Sequence, residues 1–128
     1  MCIICCKDPN AHSFYKLATQ QEIHIYYSCP AQATHYNDVK GITHHIREIL
    51  VEKGDAKWIY VFDGKDFGWK HMIELNVAKG VLDILIEQYD TLQEIQIINA
   101  SSYVEVLMNM LKPILPTTII EKIVWKKI

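Results

Sequence analysis

Short apolar runs of strand length alternate with longer stretches of helical period from residue 22 onward, and this alternation leaves few folds open. Glu22-Ile23-His24-Ile25-Tyr26-Tyr27 alternates and is rich in β-formers, and Ser28-Cys29-Pro30 ends it because proline cannot continue a central ladder. A helix follows. Asn37 or Asp38 supplies its N-cap, Val39, Ile42, Ile46, Ile49 and Leu50 its buried stripe, and Gly54 its C-cap. Lys57-Trp58-Ile59-Tyr60-Val61-Phe62 is apolar on both faces, the pattern of a strand in the middle of a sheet covered by helices. A long helix is predicted from about Trp69 to Tyr89, with Ile73, Val77, Val81, Ile84 and Leu85 as its stripe. Ile95-Gln96-Ile97-Ile98 reads as a buried strand, Tyr103 to Leu111 as a helix stopped by Lys112-Pro113, and Lys122-Ile123-Val124-Trp125 as a last strand. Ser102 and Glu105 form a capping box for the helix before that strand. Phe14-Tyr15-Lys16-Leu17 is a short edge strand, Ala31 to Tyr36 a loop, and Thr117 caps a single turn through Glu121. The order predicts an α/β fold: a mixed, mostly parallel sheet of four to five strands with helices packed on it. Crossovers of this length favour parallel, right-handed connections.

The helix from Tyr103 to Leu111 breaks the usual pattern. Glu105, Asn109 and Lys112 form one narrow polar stripe, while Tyr103, Val104, Val106, Leu107, Met108, Met110 and Leu111 cover the rest. A surface helix of a small domain is apolar on one side only. This one must be covered on two sides or face something apolar outside the chain.

Composition narrows the function. The chain has 128 residues, enough for one domain with a real core, and no internal repeat or linker divides it. Its net charge is −2, with Arg47 the single arginine among 13 basic residues, so no clustered basic face for nucleic acid is present. No stretch approaches the ~20 apolar residues of a membrane span, and Met1 to Lys7 lacks the form of a secretory signal. The chain is read as cytosolic. Glycine-rich phosphate loops are absent, so nucleotide binding of that kind is not expected.

Three of the four cysteines (Cys2, Cys5, Cys6) lie at the N-terminus, and the fourth is Cys29. A disulfide scaffold would spread them, so reduced thiols are expected. Cys2-x-x-Cys5 with Cys6 and His12 resembles half a zinc site, and N-terminal cysteines are also acylation targets. The preferred reading is a small apolar strand or loose terminus, with no metal. Cys29 follows a strand, where α/β sites usually sit, but His35 stands where phosphatase-like chemistry wants arginine, and no Asp or Asn completes a triad with His24 or His35. Adjacent His44 and His45 point about 100° apart on a helix and do not chelate together. His71, with Asp63 and Asp66 nearby, is read as a helix cap. Trp58, Trp69 and Trp125 are read as core or helix–sheet packing. No catalytic residue, metal or cofactor is expected.

An ordered set of segments resembles the CRAL-TRIO lipid-binding domain family. The set is Tyr60-Val61-Phe62-Asp63-Gly64, Tyr89, Ile97-Ile98-Asn99-Ala100, Leu111-Lys112-Pro113-Ile114-Leu115 and Lys122-Ile123. It covers about the last 70 residues well and the first 50 in outline. The resemblance implies a STAS-related sheet core in which the helix Tyr103–Leu111 is a mobile gate over a hydrophobic pocket floored by the sheet. It also implies that the lysine at Lys112 meets a headgroup phosphate in phosphoinositide-binding members. Ser101 stands where the family usually has proline, Asp90 follows Tyr89 where proline is usual, and Ile114 replaces a common phenylalanine. Thr91 is nearest to the acidic residue of phosphoinositide binders. The chain is read as a single domain over residues 1–128 without the family's N-terminal helical domain or closing segment.

The first expectation is therefore non-catalytic binding or transfer of a hydrophobic small molecule or phospholipid, with possible peripheral membrane contact. Phe62, Trp69, Tyr103, Val106, Leu107, Met110, Lys112 and Ile114 are the candidate ligand-binding residues. The alternative is a protein-interaction module, GTPase-regulator-associated or STAS-like. Its interface would be helix 103–112, against a second copy or a partner protein. A third reading, a cysteine- or metal-dependent enzyme, needs a cleft at Cys29 with histidine in hydrogen-bond reach. An apolar space of ~300 Å³ or more under Tyr103–Ile114 fits ligand binding, and a filled core fits interaction.

Overall fold

The computed structural model describes residues 12–34 and 36–126. The expectations for Cys2, Cys5, Cys6 and His35 fall outside these residues. The strands are β1 (Phe14–Gln20), β2 (Ile23–Ser28), β3 (Trp58–Asp63), β4 (Leu92–Ile98) and β5 (Ile123–Lys126). The helices are α1 (Val39–Val51), α2 (Trp69–Met72), α3 (Leu75–Glu87), α4 (Ser102–Leu111) and α5 (Thr117–Ile120), with 3-10 turns at Pro30–Gln32 and Lys112–Ile114. The five strands lie in sequence order in one sheet. β1 and β2 are antiparallel, and the three remaining pairs are parallel. This is the mixed, mostly parallel α/β sheet expected from the alternation.

β1 runs three residues beyond the expected Leu17. Gln21 (φ 51°) and Glu22 (φ 69°) both lie at positive φ, as a type I′ hairpin requires. Neither is the Asn or Gly that signals such a turn, so the hairpin was invisible in the sequence.

Sequential parallel strands joined by right-handed crossovers place their helices on one side. The register agrees. Tyr26, Tyr60, Ile95 and Ile123 share one row and Ser28, Phe62 and Ile97 the next. The apolar members of both rows meet the helices in the two hydrophobic clusters. Val61, on the opposite face, is buried yet belongs to neither cluster, and Tyr15, Leu17 and Val124 are exposed. The expectation that helices cover both faces of β3 is therefore corrected: the described helices pack on one. Trp58 is core, as expected, but Trp69 and Trp125 are exposed, which corrects their reading as packing residues.

α1 forms as its sequence dictates. The Asp38 carboxylate accepts from Gly41 N, and Ile42, Ile46 and Leu50 bury its stripe. Gly54 takes the left-handed conformation (φ 56°) after it. The single long helix expected from Trp69 is two helices. Glu74 leaves helical geometry (φ −79°, ψ 62°), and Leu75 N bonds back to Ile73 O at 2.9 Å. The break turns α3 so that Val77, Leu82, Ile84 and Leu85 bury, and it leaves Ile73 outside the stripe, exposed.

α1 and α3 touch at Gly80. A Cβ there would lie 2.7 Å from Thr43 Cγ2, on a side chain already held by a 2.9 Å bond from Thr43 Oγ1 to Val39 O. Gly80→Ala gains about 1 kcal/mol of helix propensity but forces the helices apart, an overpacking worth about 1–3 kcal/mol. The expected result is a lower urea midpoint at unchanged m-value. A rise would show that the two helices separate freely.

Candidate functional site

The carboxyl ends of β2, β3 and β4 are tied together before any ligand chemistry begins. Asp63, buried at the end of β3, accepts from the Tyr27 hydroxyl at 2.5 Å, from Asn99 Nδ2 at 3.0 Å and from Lys65 N at 3.0 Å. Burial pushes its carboxyl up, but these three bonds and the nearby Lys65 charge together outweigh that and hold it below the ordinary range. Gly64 continues the clamp: its N–H bonds to Ile98 O at 2.8 Å, and a Cβ on it would lie 2.9 Å from Asn99 O. Ser101 then starts α4. Its Oγ accepts from Val104 N and donates to Phe67 O at 3.0 Å, welding the helix start to the β3–α2 loop. The expected box of Ser102 with Glu105 is thus corrected. The cap lies one residue earlier, because Ser101 is the residue left in extended geometry.

From this anchor α4 runs across the helix-covered face of the sheet. Val104, Leu107 and Leu111 bury against Phe67 and Ile97 as a small cluster of their own. The larger cluster, around Tyr26, Trp58 and Tyr60, lies beside it, and Phe62, Leu115 and Ile123 touch both. Between the two clusters is an apolar cavity of about 120 Å³. Its floor is Tyr60, Phe62, Ile95 and Ile97, its side walls come from α1 and α3, and its roof is Val104, Leu107, Met108 and Leu111. It is smaller than the ~300 Å³ of a formed ligand pocket, yet the core is not filled.

The polar groups lining it gather at one end. Ser28 Oγ and the Tyr60 hydroxyl lie 2.5 Å apart, both buried. Burial pushes the Tyr60 hydroxyl up to about 12, with the Ser28 bond opposing, so it stays protonated. Tyr36 also lines the cavity, and burial pushes its hydroxyl up. Ser13 Oγ accepts from Cys29 N at 3.1 Å, and His12 Nε2 lies 3.1 Å from Asp38 Oδ2. The sequence offered no signal for this end, since Ser13, Ser28 and Tyr60 are scattered through the first half of the chain.

Of the eight residues predicted for the ligand, Phe62 and Leu107 line the cavity. Trp69, Tyr103, Val106, Met110 and Ile114 do not line it and are exposed, Trp69 by 59%. Lys112 also lies outside it, on an adjoining open groove of about 480 Å³ with Glu105, Asn109 and Trp125, which shares Met108, Leu115 and Ile123 with the cavity. α4 carries two apolar stripes at helical spacing: Val104, Leu107, Met108 and Leu111 face the sheet, and Tyr103, Val106 and Met110 face outward.

Other candidates resolve simply. Cys29 is buried, and burial together with the Asp63 charge raises its thiol, the opposite of a reactive cysteine. His71 Nδ1 accepts from Gly68 N at 3.0 Å and closes the α2 turn. Lys122 donates to Tyr89 O at 3.0 Å and to Leu92 O, with its ammonium 4.1 Å from the Tyr89 ring centre. Two segments of the resemblance thus meet as a structural clasp. Among the described residues no cluster of ligating side chains suits a metal, and no helix is long and apolar enough to cross a membrane.

A solved structure titled "Crystal structure of Sfh5" superposes with a TM-score of 0.66 at 14% identity, covering 93% of this chain. The chain spans 54% of that structure's length. At that identity the likeness shows the fold. No curated protein matches. The family model for the CRAL/TRIO domain matches residues 12–127, from the start of the hairpin through the last strand. A match over nearly the whole chain places the protein in the CRAL/TRIO domain family of lipid-binding proteins.

Proposed function

We propose that the chain binds or transfers a hydrophobic ligand without catalysing a reaction. The observation that carries this reading is the apolar cavity between the sheet and α4. A dry cavity of about 150 Å³ accepts a molecule of benzene size, so this cavity, at about 120 Å³, takes a fragment no larger than that. A longer ligand enters as α4 swings outward about its anchored start at Ser101, the motion the family resemblance implies. Apolar surface so buried contributes about 25 cal/mol per Å². The exposed stripe of Tyr103, Val106, Met110 and Ile114, beside Lys112, supports peripheral contact with a membrane surface during loading.

The test is the delipidated protein with a panel of lipids, after mass spectrometry of whatever co-purifies. A ligand at 100 times its Kd adds about 2.7 kcal/mol of stability, roughly 10 °C in Tm for a chain of this size. Leu107→Trp places an indole in the cavity. It is expected to abolish that rise while the unliganded Tm changes by only a few degrees. No stabilisation by any lipid would sink the reading. It would favour the second one, an interaction module using helix 103–112, for which the same exposed stripe is the supporting observation.

A further inference from the structure

We propose that the open face of the sheet, opposite α4 and the cavity, docks against the same face of a second copy of this chain. The strand register puts Tyr15, Tyr27, Val61, Gln96 and Val124 in one row across all five strands of that face. Ile25 and Ile59 lie in the row on one side of it, and Ile98 in the row on the other. Parallel sheets are found with both faces covered. Three of the four strand pairs here are parallel, yet the described helices pack on the other face. The row ends exposed at both edge strands, Tyr15 by 46% and Val124 by 37%.

Size, shape and charge choose the partner. Five strands about 4.8 Å apart and about six residues long present roughly 24 by 20 Å. Two such faces in contact bury about 1,000 Å² in total, the lower bound of a specific interface. A helix about 10 Å wide would leave half of that width bare. A second copy of the sheet matches it strand for strand, at the angle of about 30° that packed twisted sheets adopt. A two-fold contact must also be self-complementary, so a face of one charge sign would repel its copy. The charged strand residues on this face are Asp63, Glu94 and Lys126. Asp63 is buried and bonded to Tyr27, Asn99 and Lys65 N, and Glu94 pairs with Lys126 at 3.7 Å on the β4–β5 edge. Among these residues no unpaired cation is left to meet an anionic lipid surface, and no single sign of charge opposes a copy.

An interface of this size holds weakly, with a dimer Kd expected to be of the order of 10 µM. Sedimentation equilibrium of the full chain from about 1 to 200 µM reads it. Tyr15→Lys and Val124→Lys each put a cation at an exposed position of the face, where burial against an apolar copy is unfavourable. Each should weaken the dimer roughly tenfold or more while Tm stays within a few degrees of wild type. Met110→Lys, on the outward stripe of α4, should leave the dimer unchanged. Methyl NMR of the wild-type chain locates the contact without any variant: the signals of Ile25, Ile59 and Ile98 are expected to shift with concentration. A chain that stays monomeric at about 200 µM overturns the proposal. So does a dimer that Met110→Lys breaks and the two sheet-face variants do not, or one whose concentration-dependent shifts fall on α4. These outcomes leave the hydrophobic-ligand reading standing, because it depends on the cavity on the other side of the sheet.

Discussion

Trp58→Ala is expected to lower the unfolding free energy by about 3–5 kcal/mol, enough to threaten a domain whose total stability is about 5–15 kcal/mol. Trp58 is 1% exposed and starts the central strand. Its ring meets Tyr26 edge-on at 5.8 Å and Tyr60 at 6.4 Å. The Lys53 ammonium sits 5.9 Å from the ring centre, itself buried and donating to Gly54 O and Thr91 Oγ1. Removing the indole opens a cavity under β2 and β4 and strips one face from a buried cation. The indole N–H, however, is buried with no hydrogen-bond partner. Trp58→Phe discards that orphan donor along with part of the ring, so its loss should be well below that of alanine, about 1.5 kcal/mol or less. Urea unfolding of the two variants checks the argument. Equal losses would show that the N–H is satisfied and the indole is held by it.

The second large effect is at Asp63. Asp63→Ala leaves the Tyr27 hydroxyl and the Asn99 amide without their acceptor at the joined ends of three strands. Truncating one side of a buried, charge-assisted network destabilises by about 3 kcal/mol. The pH dependence has a definite sign. The folded carboxyl is held below its ordinary value, so its contribution is complete above the unfolded pKa of about 3.9 and fades as pH falls through the folded value. The stability gap between wild type and Asp63→Asn is therefore expected to be wide at pH 7 and to shrink below about pH 4. A gap independent of pH would mean the carboxylate charge is immaterial there. Because Asn99 leads directly into α4, Asp63→Asn should also raise amide exchange in the first turn of that helix.

Much of this fold was legible because it is written in local signals. Asp38 caps α1 and Gly54 follows it at positive φ, both within a few residues of the helix they bound. The apolar run at Trp58 is the central strand, and the Lys-Pro pair does stop α4. The β1 hairpin failed to show because Gln21 and Glu22 adopt a turn their side chains do not advertise. The long helix read from Trp69 failed at Glu74, where apolar periodicity continues across a break in the backbone. Ser101 stands where the family resemblance has proline, and the structure uses its hydroxyl as both cap and weld.

The candidate site divides along the same line. From residue order alone came the α/β alternation, the parallel crossovers and an α4 too apolar for one buried face. These depend only on backbone period within a short window. Which apolar stripe of α4 meets the sheet depended on the Ser101 anchor to Phe67, 34 residues away in the chain. The polar end of the cavity needed Ser28 and Tyr60 brought 2.5 Å apart across the β2–β3 register, 32 residues apart in sequence. Side chains of one chemical type become core, cavity wall or exposed stripe according to contacts that no local pattern encodes.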